Sequence, residues 1–392
     1  MRQPGKTITR QQWFRLHSFA GASFALLLFF VSLTGTLAVF AYEIDWLITP
    51  ELRVSAEGRA PLPAGTLLAA AHSAAKDGQV SSLRLLPPFM ASEAILRTAS
   101  GELNRIYIDP YTAKVIAIQP WFNAHRFLRQ THRHLMLPLK WGLTIVCLLS
   151  LPLLLSLASA FPIYKKWWQG FAKRPKPNTP PRRWWGDLHR LIGLWCVPFI
   201  ALIAITGLWY LIERWGGAAP SATKPLADLA TLNQPHNAVK LNAAIDQALN
   251  NWPDFVLKGI IVQPNKPLLL QGQASAWLVR DRANTLAVDA NTATTLTKRQ
   301  GESLTVHQRI AEMADPLHFG TFAGYLTKFI WFLFGAMMTA LCASGFWLCA
   351  LRLGTRRSGP KLGKAWQHMG WSRWPQMGLV AASLALALMA IF

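Results

Sequence analysis

The chain has 392 residues, 52% of them hydrophobic and only 15% charged, with a mean hydropathy of +0.22. That balance is too apolar for a water-soluble protein of this length and points to a membrane protein. The formal net charge of +22 raises nucleic acid as a partner, but the basic residues gather at the ends of apolar runs, where they report orientation in a membrane and contact with anionic lipid.

Five windows approach the about 20 apolar residues that cross a hydrocarbon core as helix. They are 18–41, 138–163, 190–212, 324–350 and the shorter 375–392. Arg2, Lys6, Arg10 and Arg15 precede the first without an acid. Between the second and third, Lys165, Lys166, Lys173, Arg174, Lys176, Arg182, Arg183 and Arg190 stand against one acid, Asp187. After the fourth come Arg352, Arg356, Arg357, Lys361, Lys364 and Arg373. The positive-inside rule therefore puts the N-terminus and these basic loops in the cytoplasm, the two long mixed-charge connections outside and the C-terminus in the periplasm. The first window is about twice the length of a signal-peptide core, and A-V-F-A before Tyr42 is a weak cleavage site, so it reads as an uncleaved anchor. Cys147, Cys196, Cys342 and Cys349 all fall inside windows and read as packing residues. The absence of C-x-x-C-H excludes covalent c-type haem attachment.

Sliding the chain against itself by 172 positions brings Trp13 onto Trp185, His17 onto His189, Gly21 onto Gly193, Thr34 onto Thr206 and Gly35 onto Gly207. Each half then runs span, long outer segment, span. In the outer segments, 101–115 and 282–296 both alternate apolar and polar residues and turn at Asp-x-x-Thr-Ala, a hairpin pattern. Helical runs at 64–75 and 243–249 precede them. The expected fold is a mainly α membrane protein with four core transmembrane helices in two parallel repeats, a C-terminal transmembrane helix and two small periplasmic α+β units. The expected segments are 1–41 (N-terminus and helix), 42–131 (outer unit), 132–163 (helix), 164–189 (basic loop), 190–212 (helix), 213–317 (outer unit), 318–350 (helix), 351–374 (basic loop) and 375–392 (helix).

Parallel repeats related by an axis along the membrane normal hold equivalent residues at equal depth. His17 and His189 would then face each other near the cytoplasmic surface. On the outer side, the entry F-L-R-Q-T-H-R-H-L at 127–135 offers His132 or His134 to pair with His318 of L-H-F-G. His132 and His134 point about 200° apart on a helix, so they cannot share one ligand position; His125, seven residues before His132, lies on its face as a substitute. Facing imidazoles between helices at both surfaces suit two b-type haems. Gly21 and Gly193, four residues after their histidines, would clear bulk beside a porphyrin, with Gly35 and Gly207 continuing that face. Arg15, Arg133 and Arg190 are candidate partners of haem propionates. His72, His236, His307 and His368 read as surface or structural. No G-x-G-x-x-G, Walker A, H-E-x-x-H or nucleophile elbow occurs, so electrons would come from a membrane quinol or a separate reductase partner.

R-L-H-x-x-x-G with its later T-G, F-L-x-x-x-H-R-x-L-x-L, L-H-F-G and Asp-Pro-x-Thr together resemble the PepSY-associated transmembrane helix family of bacterial inner membranes, over nearly the whole chain. Within that family the chain is most similar to the siderophore-linked iron reductases of the ferrioxamine type. The resemblance implies PepSY-like outer units, two haem b groups on His17, His189, His318 and His132 in preference to His134, and reduction of a ferric siderophore in the periplasm. A siderophore or iron permease would use a similar repeat but calls for polar residues or broken helices at mid-membrane, whereas the span centres hold Pro152 and Pro198 and almost no ionisable group. A non-catalytic sensor or inhibitor leaves the histidine pairs without a role.

Overall fold

The structure is a computed structural model that describes residues 8–221, 240–354 and 359–391. Arg2, Lys6, His236, Arg356, Arg357 and Phe392 lie outside the described residues. In chain order the helices are α1 (Arg10–Ser23), α2 (Ala25–Ala38), α3 (Ala41–Ile48), α4 (Ala64–Ala74), α5 (Ala124–His134), α6 (Leu139–Leu148), α7 (Ser150–Ile163), α8 (Pro181–Ile212), α9 (Leu241–Asn250), α10 (Val306–Phe319), α11 (Gly324–Leu353), α12 (Leu362–His368) and α13 (Arg373–Ile391). The strands are β1 (Gln79–Arg84), β2 (Ser92–Arg97), β3 (Leu103–Ile108), β4 (Val115–Pro120), β5 (Val256–Ile261), β6 (Leu268–Gln273), β7 (Asn284–Asp289) and β8 (Thr294–Arg299). Two compact units result, one from 1–41, 125–218 and 317–392, the other from 42–124 and 219–316.

In the first unit, Leu139–Ile163, Pro181–Gly217 and Gly324–Leu353 are long and apolar enough to cross a membrane. A fourth crossing exists if α1 and α2, bent by 64° at Phe24, count as one. The expected straight first span is thus broken, and the cause is a side chain inserted into the helical ladder. In an unbroken helix the Leu27 amide would donate to the Ser23 carbonyl four residues back. Here Leu27 N donates to Gln376 Oε1 at 3.1 Å, while Gln376 Nε2 donates to the Ser23 carbonyl at 2.7 Å. The Ser372 hydroxyl adds a second donor to Ser23 at 2.7 Å. The fifth window forms α13, which supplies this amide. The four cysteines are free thiols, three of them buried.

The second unit departs from the expectation of two separate outer units. Its strands form one eight-stranded antiparallel sheet in the order β4-β3-β2-β1-β5-β6-β7-β8. The two four-stranded halves join at β1 and β5, with Ser82 opposite Ile261 and Arg84 opposite Gly259. Joining removes two unpaired strand edges and gives one core to helices that neither half could cover alone. α4 and α9 share that core, where Leu67, Leu68, Ala71, Leu241, Ala244 and Ile245 are buried. They approach closely at Gly65, whose absent side chain leaves room for the Asn242 backbone.

The two Asp-x-x-Thr-Ala motifs are the turns β3–β4 and β7–β8. In each, the aspartate carboxylate accepts an amide two residues on, Tyr111 N to Asp109 at 2.8 Å and Asn291 N to Asp289 at 2.9 Å. Ala113 and Ala293 then take the left-handed conformation, at φ 56° and 58°. An alanine there is strained by about 1–2 kcal/mol, and relief of that strain by glycine is partly offset by glycine's greater chain entropy, about 0.5–1 kcal/mol. Ala293→Gly is therefore expected to raise stability by about 0.5–1 kcal/mol, readable as a small rise in the thermal unfolding midpoint.

Candidate functional site

Four of the histidines singled out in the sequence meet as two pairs within the first unit. The rings of His17 on α1 and His189 on α8 have centroids 6.4 Å apart at an interplanar angle of 83°. Those of His132 on α5 and His318 on α10 are 6.2 Å apart at 35°. His132 and His318 stand not on the spans themselves but near the C-terminal ends of the helices just before them. After α5, Leu135 and Met136 take φ of 54° and 58° ahead of Pro138, and after α10, Gly320 takes 66°. These left-handed residues stop each helix and turn the chain into the next span. Trp331 secures the second turn: its indole donates to the Leu317 carbonyl at 2.8 Å, and its ring fills the space where a Cβ on Gly320 would sit.

All four rings are held the same way. His17 Nδ1 lies 2.9 Å from the Ser156 carbonyl, and His132 Nδ1 is 2.9 Å from the Val31 carbonyl. His189 Nδ1 lies 2.8 Å from Ser344 Oγ, and His318 Nδ1 is 2.8 Å from Thr206 Oγ1. A carbonyl accepts only from a protonated nitrogen, so in His17 and His132 the proton sits on Nδ1 and Nε2 carries the lone pair. Tethering of Nδ1 is the outer-shell device that orients a metal-binding imidazole.

The geometry can be tested against a porphyrin-bound iron. Ring centroids 6.4 and 6.2 Å apart suit two imidazoles that would share one iron between them. Among the described residues no three His, Cys, Asp or Glu side chains gather into a metal-binding group. Each pair brings two imidazoles together, and His17 with His189 and His132 with His318 would each hold one haem, which would supply one-electron chemistry. The donor set and spacing fit haem b.

The other site expectations fare differently. His134 is not brought to His318: its Nδ1 turns back to the Leu137 carbonyl at 2.8 Å and closes the turn after α5. His125 is buried on α5 and belongs to neither pair. A Cβ on Gly21 would meet no atom within 4 Å, and one on Gly193 only Leu341 at 3.8 Å. Gly35 does something other than continue a smooth face. A Cβ there would lie 2.5 Å from His132 Cε1 and 2.7 Å from Nδ1, so this glycine makes room for the imidazole itself. Arg190 is engaged with Asp187 and stacks over Tyr164 at 4.9 Å, while Arg15 and Arg133 are exposed. Sequence reading missed Ser156, Val31 and Ser344; only the aligned Thr206 carried a signal, through the repeat. Gly35→Ala is expected to push His132 off the Val31 carbonyl and to lower stability by about 1–3 kcal/mol, as read by the thermal unfolding midpoint in detergent.

Residues 14–352 match the family described as the PepSY-associated TM region. Comparison with the curated proteins finds none that matches. The family match spans most of a chain whose apolar helices already mark it as a membrane protein, and the protein belongs to the PepSY-associated transmembrane family.

Proposed function

We propose that the protein is a bacterial inner-membrane di-haem b reductase that passes electrons across the membrane to siderophore-bound Fe(III), releasing iron as Fe(II) in the periplasm. The observation that carries this reading is the pair of facing imidazole couples, each ring tethered through Nδ1. His17 and His189 would hold one haem, His132 and His318 the other. Bound haem supplies one-electron exchange between ferric and ferrous iron. The chain itself fixes ring orientation, through the Ser156 and Val31 carbonyls and the Ser344 and Thr206 hydroxyls, and surrounds the rings with apolar helix. The loops rich in lysine and arginine support a cytoplasmic face on the His17 side. The substrate is a hard-oxygen chelate that binds Fe(III) far better than Fe(II), so a single electron frees the metal. Electrons come from a membrane quinol or a reductase partner.

The test is the visible spectrum of purified protein before and after dithionite. Split absorbance typical of reduced b-type haem is expected, and His17→Ala, His189→Ala, His132→Ala and His318→Ala should each remove one haem, with His134→Ala removing none. Pre-reduced protein should reoxidise on addition of ferric siderophore. A colourless preparation from haem-replete cells defeats the reading, and a haem-loaded protein that stays reduced defeats its substrate.

A further inference from the structure

One face of α8 forms a wall of a cleft of about 490 Å³ lined by Phe171, Arg174, Leu191, Ile192, Trp195 and Met337. That volume is within the range of small-molecule sites, about 300–1,000 Å³. Leu191, Ile192 and Trp195 stand on α8 two, three and six residues after His189 and point round the helix from it, so the cleft lies on a different face of α8 from the imidazole. Met337 closes it from α11. The segment after α7 folds over it: Trp195 Nε1 donates to the Phe171 carbonyl at 3.1 Å, and the two rings meet edge to face at 5.6 Å. Both aromatics keep substantial exposure, 36% for Phe171 and 51% for Trp195. Arg174, at the rim, is exposed and its guanidinium has no partner among the described residues.

An apolar floor, two aromatic walls and one unpaired cation suit a flat, largely apolar ring that bears a hydrogen-bond acceptor. An anionic lipid headgroup favours several clustered cations, and a nucleotide needs a phosphate cradle of backbone amides; one arginine lines this cleft. We propose that it binds the ring of a membrane quinone, whose carbonyl oxygen accepts a hydrogen bond from Arg174. The inference rests on the redox reading for why such a ligand belongs there, because that reading needs an electron donor, but the binding itself requires no haem.

The full-length protein in detergent, titrated with decylubiquinone, provides the test through quenching of tryptophan fluorescence. Saturable quenching is expected, with a smaller amplitude in Trp195→Phe. Arg174→Gln, an exposed change that the fold tolerates, should weaken binding about tenfold, as befits one charge-assisted hydrogen bond. Ile192→Trp, which fills the cleft, should abolish saturation. Quenching that never saturates, that is equal in wild type, Arg174→Gln and Ile192→Trp, or that phosphatidylglycerol displaces in full would overturn the site. Loss of quinone binding in protein that keeps its reduced b-haem spectrum sinks this inference alone; saturable quinone binding in protein that takes up no haem sinks the redox reading and upholds the cleft.

Discussion

Replacing Gln376 with leucine is expected to lower stability by about 2–4 kcal/mol or, where the chain straightens to relieve that cost, to remove the haem proposed for His17 and His189. The Gln376 side chain is 4% exposed and bridges the Leu27 amide and the Ser23 carbonyl, the two groups parted by the 64° break between α1 and α2. Leucine has similar size, so little cavity forms, but it offers neither donor nor acceptor. The Leu27 amide would be buried without a partner, at a cost of about 1–3 kcal/mol, and the Ser23 carbonyl would keep only the Ser372 hydroxyl. If the chain instead straightened to restore the Leu27–Ser23 bond, α1 would swing and carry His17 away from Ser156 and from His189. Thermal unfolding in detergent measures the first effect, and a dithionite difference spectrum the second. Ser372→Ala, which leaves the bridging amide in place, should cost only about 1 kcal/mol and retain both haems. Unchanged stability together with both haems retained in Gln376→Leu would show that the break has another cause.

Glu93→Leu is expected to be the most damaging single change in the sheet, at about 3–5 kcal/mol. Glu93 on β2 and Arg105 on β3 are ion-paired and almost wholly buried, at 3% and 0% exposure. Their strands place Glu93 opposite Tyr107 and Ile95 opposite Arg105, so the two side chains are diagonal neighbours on one face. Arg105 also donates from Nε to the Trp121 carbonyl at 2.8 Å and stacks over the Trp121 ring at 4.8 Å. Removing the carboxylate leaves a buried guanidinium whose remaining acceptor is a neutral carbonyl. The double replacement Glu93→Leu with Arg105→Met removes both charges and should recover most of the loss. Thermal unfolding of the two variants side by side distinguishes a stranded charge from lost packing, since packing loss alone would make the double variant the worse of the two.

This pair illustrates a limit of reading one strand at a time. Nothing within S-E-A-I-L-R marks Glu93 as buried, since a glutamate is almost never buried unless it is paired. Its face of the sheet is covered by the segment from α3 to Val54, with Leu52 buried against Ala91 and Tyr107 and Trp46 packed alongside. No periodicity within β2 reports a cover supplied 40 residues earlier. His132 and His134 show the same limit on a smaller scale: helical geometry establishes that only one can face His318, and which one depends on the left-handed Leu135 and Met136, which direct His134 back onto its own turn.

Membrane character, the internal duplication, the hairpins at Asp109 and Asp289 and three of the four paired histidines, His17, His189 and His318, were legible in the residues alone, because hydropathy, turn chemistry and self-alignment are local or repeated signals. The partners of those histidines were not: a Val31 or Ser156 carbonyl is present at every residue and carries no side-chain signature. Nor was the union of the two outer segments into one sheet, which follows from burying two strand edges and two helix faces together. The broken first span belongs to the same class. Its bend is produced by an amide from Gln376, some 350 residues away in sequence, and only folding brings a donor and an acceptor from the end of the chain into a gap near its beginning.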